Sequence, residues 1–256
     1  LPQQNISPLV EPLHFEHQRV TVGDKVIETA LFNVHYDYGA RLFRGYALVD
    51  GQIQRAECAL KPHEAACAVS GWVHGWISGA QRTKLFHLAQ ECPKGQIIVE
   101  IGSWKGKSTA ILGWGSKAGQ KMLVWAIDPH EATPAYWIIH NGGEPQSSYP
   151  QFAANLNAGG LLDVVMPLTM PSQQAASILR EPVGVLFIDG DHHYAALDVT
   201  LWASHVVLGG WIALHDINMS YVQTALALLQ ETGQFGAVET VDSMVVCQRV
   251  VEGVVP

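Results

Sequence analysis

The chain has 256 residues, 48% of them hydrophobic and 15% charged, so it can bury a large core, and wholesale disorder is excluded. Against 15 basic residues stand 23 acidic ones, a net charge of −8 with no basic run, which argues against a nucleic-acid or anionic-membrane surface. No apolar run reaches the roughly 20 residues that cross a bilayer, no leader-like start is visible, and Cys58, Cys67, Cys92 and Cys247 form no Cys-x-x-Cys pair, so a cytoplasmic protein with reduced thiols and no membrane partner is expected.

The first 60 residues read as β-structure. "RVTVGDKVIETALFNV" holds two apolar runs around Gly23-Asp24, and "ARLFRGYALVDGQIQRA" holds two more around Asp50-Gly51. Turn residues between β-branched and aromatic runs signal hairpins. A small β-meander over 1–60 is expected, appended to a main domain over 61–256. It would serve as a cap on the cleft or as a contact in a homodimer. Residues 62–80 carry Gly71, Gly75 and Gly79 inside a helical pattern and give no clear element. A helix over 80–92 follows, stopped by Pro93.

From there strands and helices alternate. Strands are expected at 96–101, 121–128, 163–168, 183–189 and 211–216. Helices are expected at 107–119, 149–160, 172–180, 194–210 and 220–233, with Ser172 as an N-cap. The five strands are nearly continuous in apolar residues, the mark of a parallel sheet covered on both faces. Strands at 235–241 and 243–250 share a tight turn and must be antiparallel to one another. The fold class is therefore α/β, a Rossmann-like seven-stranded sheet with a terminal antiparallel hairpin. Ligands in such sheets bind outside the carboxyl ends of the strands, here at Gly102, Asp128, Leu168, Asp189 and Asp216. The long connection over 129–150 is a candidate binding loop, with Tyr136, Trp137 and His140 able to meet a ligand or to cover the core.

"VEIGSWKGKSTAIL" over 99–112 looks like a phosphate loop, but Gly102 and Gly106 enclose three residues where G-x-x-x-x-G-K-[ST] needs four. Glu100 at the strand end would also repel phosphate. The dinucleotide fingerprint G-x-G-x-x-G fails as well. The stretch fits E-x-G-x-x-x-G-x-S. With "AIDPH", "VLFIDGDHHY" and "GGWIALHD" in order at strand ends, residues 80–250 resemble class I S-adenosylmethionine-dependent methyltransferases. The likeness is to a bacterial family related to the metal-dependent, catechol O-methyltransferase-like branch.

The resemblance implies an enzyme that methylates a hydroxyl of a small molecule, a sugar or natural product. Its cofactor would lie on the turn of Glu100, Gly102, Ser103, Trp104 and Gly106. A glycine turn admits close backbone approach, and the helix start after Gly106 favours the methionine carboxylate, with Ser108 adding a hydroxyl. Trp104 is read equally well as packing. Asp128 stands where an acid takes the ribose hydroxyls, and Ser172 where the family contacts adenine. Asp189 and Asp216, at adjacent strand ends, need a proton or a cation between them. A hard divalent ion, Mg2+ by expectation, would suit them, with His215 or Asn218 as third ligand. His192 is the candidate base beside Asp189. Its other reading is a backbone-satisfied histidine at a helix entry. Asp198 reads as a solvated helix position, and Lys107 as solvent-facing. The rival readings are a nucleotide-binding ATPase, a related antibiotic-type hydroxylase and a non-catalytic S-adenosylmethionine-binding module.

Overall fold

The computed structural model describes residues 11–131 and 147–251. Tyr136, Trp137 and His140 lie outside the described residues.

The N-terminal strands are β1 (Leu13–Val22), β2 (Lys25–Asp37), β3 (Leu42–Val49) and β4 (Gln52–Cys58). Both expected hairpin turns form. Gly23, Asp50 and Gly51 all have positive φ there, as tight hairpin connections require. The four strands run antiparallel, and Thr21 on β1 meets Glu57 on β4, so the meander closes on itself as a small barrel. Its inward residues include Leu13, Phe15, Leu31, Phe43 and Ala47, all buried.

Helices α1 (Pro62–Trp72) and α2 (Gly79–Gln90) follow. Gly71 sits inside α1 and Gly79 opens α2, which is why the sequence pattern there was ambiguous. Glu64 accepts from the Lys61 N–H at the start of α1. Ser78 and Gln81 make a reciprocal capping box at α2.

The main sheet has seven strands, β5 (Ile97–Ile101), β6 (Val124–Ile127), β7 (Val165–Leu168), β8 (Val183–Ile188), β9 (Val206–Leu214), β10 (Phe235–Val241) and β11 (Met244–Arg249). Their order is β10-β11-β9-β8-β5-β6-β7. The five inner and edge strands from β9 to β7 are parallel, and β11 is antiparallel to both of its neighbours. The expected fold class is therefore the observed one.

The helices between them are α3 (Lys107–Ala118), α4 (Tyr149–Ala158), α5 (Ser172–Ile178), α6 (Ala195–Trp202) and α7 (Ser220–Glu231). The expected helix over 194–210 is corrected. It stops at Trp202, and Val206–Gly210 already belong to β9. Val206 pairs with Val183, whereas the next pair is Val185 with Trp211, so three extra residues bulge out around Gly209 at φ 79°. The β-branched Val206 and Val207 join the sheet against a helical pattern that the tertiary pairing overrides.

Side chains of β5 alternate between two cores. Ile98 joins the core that runs through α1, α2, α3 and the barrel. Ile97, Val99 and Ile101 join the core under α5, α6 and α7. The barrel is packed into the first core by Tyr36 and Phe43, whose rings lie 5.6 and 6.0 Å from Trp114 on α3. Among the described residues no helix is long and apolar enough to cross a membrane.

Candidate active site

A cavity of about 1080 Å3 opens at the carboxyl ends of β5, β6, β8 and β9. This is where the topology reverses: the chain runs from β5 outward to β6 and β7, then crosses back to β8 on the other side of β5.

The turn after β5 forms its floor. Gly102 has φ 89°, and a Cβ there would lie 2.4 Å from the Asp189 carbonyl oxygen. Only glycine lets β5 and β8 end so close together. Trp104 also adopts a left-handed conformation, φ 42°. Its N–H donates to Asp128 Oδ2 at 2.7 Å, while the His130 N–H donates to Oδ1 at 2.6 Å. One carboxylate thus ties the β5 turn to the β6 turn, and it lines the cavity as well. Trp104 lies parallel to Trp76, with ring centroids 5.6 Å apart and planes within 1°.

Ser103 and Ser108 are buried cavity-lining residues. Ser103 Oγ has no hydrogen-bond partner, a buried hydroxyl left open toward a polar ligand. Gly106 caps α3 at φ 91° and Glu100 is wholly buried, and neither lines the cavity. Glu100 accepts from Thr109 Oγ1 on α3. Burial pushes its carboxyl up to about 8, against the lowering effect of the Ser108 and Thr109 hydroxyls.

Three sequence expectations change. Lys107 is not solvent-facing. Its Nζ donates to the Ser70 and Val73 carbonyls at 2.7 and 2.8 Å, closing the end of α1. Ser172 does not cap α5, where Pro171 is the N-cap. Its hydroxyl donates instead to Asp198 Oδ1. Asp198 is therefore buried rather than solvated, and burial raises its carboxyl to about 6. An acid one turn inside a helix gives no sequence signal that its partner lies 26 residues earlier.

The ends of β8 and β9 bring the acids together. Donor atoms of Asp189, His192 and Asp216 all lie within 4.8 Å of one another. His192 Nε2 is 3.1 Å from Asp216 Oδ2. Behind them the buried His215 places Nδ1 3.0 Å from Asp189 Oδ1 and 3.3 Å from Asp216 Oδ2, without the alignment of a hydrogen bond. Asn218 does not line the cavity. Asp216 holds φ 54°, strained for a residue with a side chain.

Gln81, which the sequence reading missed, fixes the His215 tautomer. Gln81 Oε1 accepts from the Ser78 N–H at 2.9 Å, so that atom is an oxygen. His215 Nε2, 3.3 Å from it, must then donate. A neutral His215 turns the Nδ1 lone pair toward two carboxylates. That arrangement needs a proton or a cation between them. Burial works to lower the His215 pKa, but Asp189 and Asp216 overcome it and the net direction is up. Burial raises Asp189, with His215 opposing.

Residues 99–217 match the family described as a methyltransferase domain. The fold is similar to that of cofactor-bound Rv0187 from MTB, at 20% identity and TM-score 0.53 over 78% of this chain and 92% of that one. It is similar to the O-methyltransferase NovP, at 18% identity and TM-score 0.58 over 70% and 83%. A third likeness is to the O-methyltransferase from Bacillus cereus in complex with SAH, at 18% identity and TM-score 0.55 over 73% and 90%.

Proposed function

From the premise that residues 99–217 are a methyltransferase domain on a class I methyltransferase fold, we propose that the protein methylates a hydroxyl of a small molecule with S-adenosylmethionine and a divalent cation. The convergence of Asp189, His192, Asp216 and His215 at one end of the cavity carries this reading.

The residues fit the cofactor. Gly102 leaves room for a close approach, and the Ser103 hydroxyl and the start of α3 offer donors to a carboxylate. Asp128 already accepts two backbone N–H groups, and its remaining lone pairs face the cavity region where a ribose diol would sit. Ser172 holds the adenine end through its link to Asp198. S-adenosylmethionine supplies an electrophilic methyl group on sulfur.

The acids fit a hard ion, Mg2+ by choice, with Asp189, Asp216 and the His215 Nδ1 lone pair as donors. Such an ion lowers the pKa of a hydroxyl brought to it. His192 sends Nε2–H toward Asp216, which leaves Nδ1 as the atom that takes the acceptor proton. The remaining task of the chain is alignment of acceptor oxygen, methyl carbon and sulfur.

A second reading rests on the 3.1 Å His192–Asp216 pair, which can work as a base dyad without any ion. Titration with S-adenosylhomocysteine tests the cofactor. At 100 times its dissociation constant it should stabilise the fold by about 2.7 kcal/mol. Absence of any shift would refute the methyltransferase reading. Loss of methyl transfer in EDTA, restored by Mg2+, selects the ion-assisted reading, and full transfer in EDTA selects the dyad. His215→Ala should lose the cation, whereas His192→Ala should bind it and fail to turn over.

A further inference from the structure

Six side chains that would ordinarily seek burial line the cavity near the acids: Trp76, Ile77, Tyr194, Leu197, Met219 and Tyr221. Trp76 is 56% exposed, Tyr194 53%, Tyr221 51% and Met219 42%. They come from the α1–α2 connection, the entry to α6 and the start of α7, so three separate elements turn apolar surface to one space. Large side chains left exposed around one concave site mark a surface that a ligand covers.

The charge of the same wall is one-sided. The acids Asp128, Glu131, Asp189, Asp191, Asp198 and Asp216 all line it. Lys107 is the one lysine or arginine among the described lining residues, and its ammonium is committed to two carbonyls of the α1 end. Lys105 faces the adjoining hollow of about 580 Å3, its Nζ 4.8 Å from the Trp104 ring centroid. The segments outside the described residues carry no lysine or arginine at all. The 129–150 connection therefore brings neither a lysine nor an arginine to meet an anionic ligand. Bringing a carboxylate or phosphate among carboxylates in a partly dehydrated cavity is strongly unfavourable unless a positive group answers it.

Resting on the O-methyltransferase reading, we infer that the acceptor is an uncharged or cationic hydroxyl compound with an apolar ring, and that acceptors bearing a carboxylate or phosphate are excluded. The apolar wall supplies contact for the ring. The divalent ion of that reading answers Asp189 and Asp216, and Asp128, Glu131, Asp191 and Asp198 remain on the wall to supply the discrimination, which acts through repulsion as much as attraction. Phosphorylated sugars and nucleotide-linked acceptors fall outside this class.

The test uses the full chain saturated with S-adenosylhomocysteine and Mg2+, and three phenols of similar size: 4-hydroxybenzyl alcohol, tyramine and 4-hydroxybenzoate. Calorimetry should show the neutral and cationic phenols binding and the benzoate at least tenfold weaker. Tyr221→Ala should weaken the first two severalfold with S-adenosylhomocysteine affinity unchanged. Leu197→Lys, at a half-exposed position that tolerates a long side chain, should bring the benzoate to parity or better. If S-adenosylhomocysteine itself fails to bind, the methyltransferase reading falls. If it binds but the three phenols bind equally, or none of them binds, the acceptor inference alone is overturned.

Discussion

His215 Nε2 lies 3.3 Å from Gln81 Oε1, and this contact between the end of β9 and the first turn of α2 decides what the other imidazole nitrogen can do. Because Oε1 already receives the Ser78 N–H, it accepts from His215, and in the neutral imidazole this leaves the Nδ1 lone pair toward Asp189 and Asp216. Partners that orient a histidine ligand are worth roughly 10- to 100-fold in metal affinity. Gln81→Met should therefore weaken Mg2+ binding by roughly that factor. It should also cost about 1 kcal/mol through the lost cap at α2. S-adenosylhomocysteine affinity should hold. Unchanged Mg2+ affinity in a calorimetric titration would remove His215 from the ligand set.

Glu100 gives a pH dependence with a definite sign. Its folded-state pKa of about 8 stands above the ordinary 4.5. The folded protein keeps a proton that the unfolded chain releases, so stability from this group is greatest below pH 4.5 and is lost as pH rises toward 8. The slope over that window is about 1.4 kcal/mol per pH unit. Glu100→Gln keeps the carbonyl that accepts from Thr109 and removes the titration. Urea unfolding from pH 5 to 9 should show the variant gaining on the parent until pH 8 and then running parallel. Parallel curves throughout would mean that Glu100 is ionised in the fold.

The sheet was legible in the sequence because the parallel strands are nearly continuous apolar runs, four of the five ended by glycine or an acid. The hairpin turns at Gly23-Asp24 and Asp50-Gly51 were legible because positive φ restricts which residues can stand there. The candidate site residues Gly102, Asp128, Asp189, His192 and Asp216, which line the cavity at the carboxyl ends of the parallel strands, came with those strands. What could not be read depends on contacts between distant elements. Lys107 closing α1, Gln81 orienting His215 and Ser172 bonding Asp198 join residues 26 to 134 positions apart. No local period encodes them. The β9 bulge was hidden for a related reason, since Val206 is drawn into the sheet by Val183 and not by its own neighbours.

Gly102 is the sharpest steric test of the floor of the cavity. An added Cβ would meet Asp189 O at 2.4 Å and Gly190 N and Cα at 2.5 Å, all backbone. Neither strand end can yield without separating β5 from β8. Gly102→Ala should lose S-adenosylhomocysteine binding by at least tenfold and lower stability by about 1–3 kcal/mol. Gly71→Ala, where nothing lies within 4 Å of the new methyl, is the matched control. It should be neutral or gain up to about 1 kcal/mol from helix propensity. Thermal unfolding with and without S-adenosylhomocysteine reads both effects, and a Gly102→Ala protein with parental affinity would contradict the tight-floor argument.

Lys107 separates this turn from a phosphate loop. In a nucleotide site the lysine would point at phosphate, but here its Nζ is held by Ser70 O and Val73 O, and its stem packs against Gly75, where a Cβ would lie 2.9 Å from Lys107 Cδ. Burial lowers its pKa, with Arg82 adding to the effect. Lys107→Met keeps most of the stem and removes two charge-assisted hydrogen bonds, so a loss of about 1–3 kcal/mol in stability is expected. The connection carrying His74 and Trp76 starts at Val73, so its release should also loosen the Trp76–Trp104 stack and weaken S-adenosylhomocysteine modestly. ATP should stabilise neither protein. A thermal shift with ATP in the parent that vanishes in Lys107→Met would restore the phosphate-loop reading and displace S-adenosylmethionine from this turn.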